Sequence, residues 1–184
     1  MQKDREKRFQ RMLSGDCMDK AVSNAGPLIH LSEIEKFELL KVFTKIYIPG
    51  KVYEGVCIEG MPGEREVSNA ENIEVLSVSK EEIEKVSNEI DSKLEDGELE
   101  ALTVCNRLKV KLFLTDDLDA RDAGKQLGFE VHGSVGVIVR AYREGLIDLK
   151  MAKMALEDLY SISKLFVTRG IIEEAINDLE LFHL

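Results

Sequence analysis

Tryptophan is absent from the 184 residues, and Phe and Tyr bring the aromatic share to only 6%. That argues against a broad platform for stacking unpaired bases. Cysteine is scarce: Cys17, Cys57 and Cys105 are odd in number and far apart, with no metal-ligand or redox-motif spacing. They read as reduced thiols of a cytoplasmic protein rather than a disulfide framework. The three histidines, His30, His132 and His183, are scattered, and no two stand four apart on a helix, so a zinc site is rejected. Positive charge is short as well, with 25 Lys and Arg against 35 Asp and Glu, a net charge of -10. Such a chain is no general electrostatic adhesive for nucleic acid or anionic membranes, although a local basic groove is still open to it. No apolar run approaches the roughly 18 residues of a membrane span. The start, Met1 to Arg11, is charged rather than apolar, against a secretory signal. Neither a P-loop nor a dinucleotide fingerprint is present, and Ser134 has no positioned His–Asp partner for a hydrolase triad.

What is present suits one domain with an appendage. Hydrophobic residues make up 44%, enough for a core. Residues 1–19 read as a charged helical lead-in. Lys20–Asn24 reads as a buried strand running into the turn Asn24-Ala-Gly26-Pro27 and a helix from Leu28. Lys45–Ile48 reads as a second strand, followed by a short helix carrying Tyr53 and Glu54. Residues 58–72 read as an exposed loop. Ile73–Val78 is a third strand, and Ser79 with Glu82 forms a capping box opening a helix to about Ile90. The acidic run Asp91–Glu100 introduces another helix, where each acid near the N-terminus is worth roughly 0.3–1 kcal/mol against the macrodipole. Val110–Thr115 is the clearest strand. Asp116, Asp117 and Asp119 follow it into a helix, then come a short strand at Phe129–Val131 and a helix opening at Gly133-Ser134-Val-Gly136. Residues 149–184 hold two further amphipathic helices, with Thr168 as a cap for the second. Alternating strands and helices predict an α/β domain with a mainly parallel sheet.

In such a sheet ligands bind at the carboxyl ends of the strands. Asn24, Glu54, Glu98 or Glu100, and Asp116, Asp117 and Asp119 all fall there. Brought together they would form an oxygen-only pocket, and crowded carboxylates call for a cation. Mg²⁺ or Mn²⁺ suits one or two carboxylates with waters and phosphate oxygens, and would support in-line phosphodiester hydrolysis. Each residue also has an ordinary explanation as a turn residue, a cap or a solvated helix acid. Gly133-Ser134-Val-Gly136 would present N–H groups to a phosphate or form only a tight turn with a Ser cap. Lys51, Arg121, Lys125, Arg140 and Arg143 flank these segments as candidate groove residues or as an ordinary mixed-charge surface.

The segments Val22-Ser-Asn-Ala-Gly-Pro-Leu-Ile29, Ile48-Pro-Gly-Lys-Val-Tyr-Glu-Gly-Val56, Gly97-Glu-Leu-Glu-Ala-Leu102, Leu112-Phe-Leu-Thr-Asp-Asp117 and Gly133-Ser-Val-Gly-Val137 stand in the order and about the spacing of PIN domains. The chain resembles the toxin-like archaeal and bacterial branch related to VapC-type ribonucleases, from about Lys20 to Asp148. The resemblance implies a three-layer α/β/α fold over residues 20–148, with extra helices over 149–184 packed on the domain or on a partner. It implies Mg²⁺- or Mn²⁺-dependent cleavage of RNA by the toxin of a toxin–antitoxin pair, in a homodimer silenced by a small antitoxin protein. It places Asn24 where the family has its first Asp, Glu54 at the family's Glu after the second strand, and Glu98 at the next acid with Glu100 as rival. Asp117 matches the acid two positions after a strand-end Thr, Thr115. Asp116 and Asp119 are neighbours that substitute or support, and Ser23 and Thr115 supply hydroxyls that hold ligands or water. Asn24 is the departure: an amide brings no charge, so a catalytically silent binding module is the alternative, and a phosphohydrolase of small phosphoesters a third reading.

Overall fold

The computed structural model describes residues 20–91 and 93–183, so the lead-in expected over residues 1–19 lies outside the described residues. The chain runs β1 (Lys20–Ser23), α1 (Ala25–Glu33), a 3-10 helix (Phe37–Val42), β2 (Lys45–Pro49), α2 (Gly50–Val56), α3 (Glu64–Asn69) and β3 (Ile73–Leu76). It continues through α4 (Lys80–Ser87), α5 (Asp96–Leu108), β4 (Leu112–Leu114), α6 (Leu118–Gln126), β5 (Glu130–His132), α7 (Ser134–Arg143), α8 (Leu149–Ser161) and α9 (Arg169–His183). The five strands form one sheet in the order β3-β2-β1-β4-β5, and every pairing is parallel.

Side chains on a strand alternate between faces, and here each face has its own core. Ala21, Ile46, Ile48, Leu112 and Leu114 join one cluster with Leu28 and Leu31 of α1, Val137 and Ile138 of α7, Leu156 of α8 and Ile172 of α9. The intervening Val22 and Phe113 join the other, with Leu102 and Cys105 of α5 and Ala120 and Ala123 of α6. The result is a three-layer α/β/α sandwich. Phe113 and Phe43 are completely enclosed, one on each side, and burying a side chain of this size is worth roughly 1.5–3 kcal/mol. The two C-terminal helices share the first of these cores rather than forming one of their own.

The capping box at Ser79 is present: the Glu82 N–H donates to Ser79 Oγ at 3.2 Å, and the Ser79 N–H donates to Glu82 Oε2 at 2.8 Å. The segment expected as an open loop at 58–72 instead contains α3. Val67 is buried and fixes that helix to the core, and Gly63 turns the chain into it at φ 98°. One anchoring residue in a polar stretch leaves no periodic signal in the sequence. Among the described residues no helix is long and apolar enough to cross a membrane.

Candidate functional site

The strand order reverses at β1, with β2 and β3 to one side and β4 and β5 to the other. That switch point opens a crevice at the carboxyl ends of β1 and β4. Asn24 is the first residue past β1, and its N–H donates to the Leu114 carbonyl at 2.8 Å, continuing the ladder. Thr115 does the same past β4, donating to the His132 carbonyl at 2.8 Å. Ladder geometry therefore fixes both backbones before any side chain is considered.

Into the crevice project three groups from separate elements. The Asn24 amide nitrogen lies 3.5 Å from Glu98 Oε1 and 3.5 Å from Thr115 Oγ1. Glu98, in the first turn of α5, accepts the Glu95 N–H on its other oxygen at 3.0 Å. Asp117 caps α6 by accepting the Ala120 N–H at 2.8 Å, and its own N–H donates to Thr115 Oγ1 at 3.2 Å. At Gly97 α5 passes close to α2: a Cβ there would make ordinary contact with Val52 Cγ2 at 3.5 Å and Asn24 Oδ1 at 3.9 Å. The Ser23 hydroxyl is fully buried and donates to the Asn24 carbonyl at 2.8 Å, bracing the turn from behind.

Burial pushes the Glu98 carboxyl above its ordinary 4.5, and the charges of Asp117 and Glu95 push it further, against the lowering effect of the Glu95 N–H and the Asn24 amide. A carboxyl raised on folding costs nothing while protonated below 4.5, and its cost grows as pH climbs through the raised value. Glu98→Gln is therefore expected to melt above the parent at neutral pH in chelator. The difference should vanish near about pH 4, and thermal scans across pH measure it. A gap that widened toward acid would contradict this account of the site.

Other residues expected here are turned elsewhere. Asp116 spends both oxygens inside the fold: Oδ1 accepts the Ser134 N–H at 2.7 Å, and Oδ2 accepts the Ser134 hydroxyl at 2.6 Å and lies 2.9 Å from His30 Nδ1. Asp116, expected as a metal ligand or support, thus has both oxygens engaged by Ser134 and His30. Asp116 is turned toward His30 of α1 and Ser134 of α7. Asp117, the exposed N-cap of α6, instead lies close enough to Glu98 of α5 for its charge to raise that carboxyl. The N-terminus of α7, read from sequence as either a phosphate cradle or a turn, already has its anion in Asp116. Gly133 makes this possible, since a Cβ there would fall 2.5 Å from Asp116 Oδ1 and 2.8 Å from Arg121 Nη2. Arg121 donates to the Thr115 carbonyl at 3.3 Å. The contacts of His30 and Arg121 in this turn join residues far apart in the chain and left no signal in the sequence.

Glu54 is largely exposed on α2 and pairs with Lys51 Nζ at 3.0 Å, while Glu100 accepts the Lys51 backbone N–H at 3.2 Å. The Glu54 and Glu100 carboxylates hold the Lys51 ammonium above its ordinary range. Asp119 is exposed in the first turn of α6. Arg140 and Arg143 stack on Phe43 and Phe182, at 5.0 and 5.5 Å from the ring centroids. Among the described residues, no three of His, Cys, Asp and Glu converge closely enough to hold a metal ion.

A family model described as a PIN domain matches residues 20–180. The chain belongs to the PIN-domain family. No curated protein and no solved structure matches it. PIN is a nuclease-type fold, and PIN domains generally use divalent metals. The residues of this PIN domain fit such an ion sparsely. Glu98, Asp117, Asn24 and Thr115 are all oxygen donors, the type that suits a hard cation, and one or two carboxylates suffice when waters complete the shell.

Proposed function

We propose that this PIN domain is a metal-dependent ribonuclease, loaded with Mg²⁺ or Mn²⁺, and the toxin of a toxin–antitoxin pair in the cytoplasm. The reading includes a small antitoxin protein that silences it and association of two copies of the chain. The observation that supports it is the Asn24 amide nitrogen 3.5 Å from both Glu98 and Thr115 at the strand switch point, with the charge of Asp117 acting on Glu98. When bound, the metal supplies Lewis acidity and a water activated for in-line attack on phosphorus. Glu98 and Asp117 hold it. Asn24 orients a ligand or water without adding charge, and the Thr115 hydroxyl keeps the Asp117 backbone in place. Glu54 joins them only when its ion pair with Lys51 opens.

The neutral Asn24 and the absence of a three-acid cluster among the described residues favour one second reading, a PIN module that binds RNA or protein without cutting. A mixed-structure RNA panel with Mn²⁺, with Mg²⁺ and with chelator separates the two. The nuclease reading expects cleavage that chelator stops, and Asn24→Asp, by adding a third charge, is expected to tighten metal dependence by at least about tenfold. Cutting by Asn24→Asp alone would make the natural protein the silent module. Hydrolysis of small phosphoesters with RNA intact would replace both readings.

A further inference from the structure

Lys51 engages two of the acids expected at the metal site, one with each of its nitrogens. Its ammonium lies 3.0 Å from Glu54 Oε2, and its backbone N–H donates to Glu100 Oε2 at 3.2 Å. It is the only basic residue between Lys45 and Arg65, a stretch that also holds Glu54, Glu59 and Glu64. Its ammonium is therefore the local counter-charge, and Glu54, Glu100 and Asp96 all favour its charged form. The helix that carries it lies against the crevice. A Cβ on Gly97 would meet the backbone nitrogen of Val52 at 4.0 Å and Asn24 Oδ1 at 3.9 Å, so one added carbon would touch both α2 and the amide past β1. The pair of Lys51 with Glu54 is at least half exposed on both sides. Such pairs are weak and open readily, so Glu54 is held without being locked. A divalent cation is the stronger partner for a carboxylate, because it carries twice the charge and binds the oxygen directly.

We infer that Lys51 is a resident competitor for the metal: its ammonium occupies Glu54, and a divalent cation takes that carboxylate only by displacing it. The inference rests on the metal-dependent reading above and deepens it, naming the residue that sets how much metal the site needs. The test is calorimetric titration of the full chain with Mn²⁺ and no RNA, so binding is read rather than cleavage. Lys51→Gln removes the ammonium and keeps the backbone bond to Glu100. It is expected to bind Mn²⁺ about fivefold more tightly than the parent, the upper range for release of an exposed ion pair. Lys51→Arg keeps the charge and is expected to bind no more tightly than the parent. Glu54→Gln removes the carboxylate in dispute, so adding Lys51→Gln to it is expected to gain nothing. Both side chains are largely exposed, so none of these changes touches the core. A Lys51→Gln protein that binds no better than the parent overturns the inference and leaves the metal reading standing. A gain of the same size in the Glu54→Gln background also overturns it, because the ammonium would then act through its charge at a distance and not through Glu54. Mn²⁺ binding by none of these chains overturns the metal reading and this inference together.

Discussion

Asp117→Asn is expected to reduce RNA cleavage by at least about a hundredfold while leaving the fold intact. The substitution is nearly isosteric, and Asn caps a helix as well as Asp, so the bond from the Ala120 N–H that starts α6 is retained. What disappears is one of two carboxylates in a site that has few. Outer partners of metal ligands already cost about 10–100-fold when removed, so loss of a ligand is the larger effect. The same change removes a charge that raises Glu98, so without metal the variant should be as stable as the parent or slightly more. Single-turnover cleavage and melting with and without Mn²⁺ measure both sides. The parent should gain stability from Mn²⁺ and the variant should not. Equal cleavage by the two would remove Asp117 from the chemistry.

Asp116→Ala is expected to have the largest effect on stability, about 3 kcal/mol, or roughly 10 °C in melting temperature. The Asp116 side chain is only 8% exposed, and it satisfies the Ser134 N–H, the Ser134 hydroxyl and the His30 ring together. Alanine leaves these groups facing one another with no acceptor and no room for bulk water. It also frees the first turn of α7 from the exit of β4. Ser134→Ala is the graded comparison. It deletes one hydroxyl and keeps the backbone bond, so about 1 kcal/mol is expected. Denaturant unfolding of both variants tests the ranking, and an Asp116→Ala protein within 1 kcal/mol of the parent would contradict it.

The contrast between these adjacent aspartates shows how far sequence reading reaches. The strands were legible as short apolar runs bounded by turn residues, as a sheet buried on both faces requires, and the helices between them by their longer period. The sheet's parallel order then directs attention to strand exits, where Asn24, Thr115 and Asp117 stand. The choice between Asp116 and Asp117 was not written there, because it depends on Ser134, eighteen residues on, offering its N–H and hydroxyl to Asp116. Glu98 and Glu100 differ in the same way. Glu98 folds back onto the Glu95 N–H beside Asn24, whereas Glu100 meets α2 at Lys51. That distinction depends on where α2 docks, a long-range fact. Glu54 is paired with a lysine three positions earlier on the same exposed helix, a local partner the sequence already offered. α3 eluded the reading because a single valine anchors six residues.

The placement of β1 between β2 and β4 has a consequence for the order in which the chain is made. Asn24 meets Glu98 across 74 positions and Thr115 across 91. A chain emerging from the ribosome pairs β1 with β2 early but holds the other edge of β1 open until β4 has been synthesised. Parallel pairings over such separations form slowly, because the loop between them must close first. Until residue 117 has left the ribosome, Glu98 is held only by its local bond from the Glu95 N–H and lacks the neighbouring charge of Asp117. Synthesis halted short of that point yields a chain with an unpaired central strand, suited to aggregation or proteolysis. The site is therefore assembled only once β4 and the turn after it have been made.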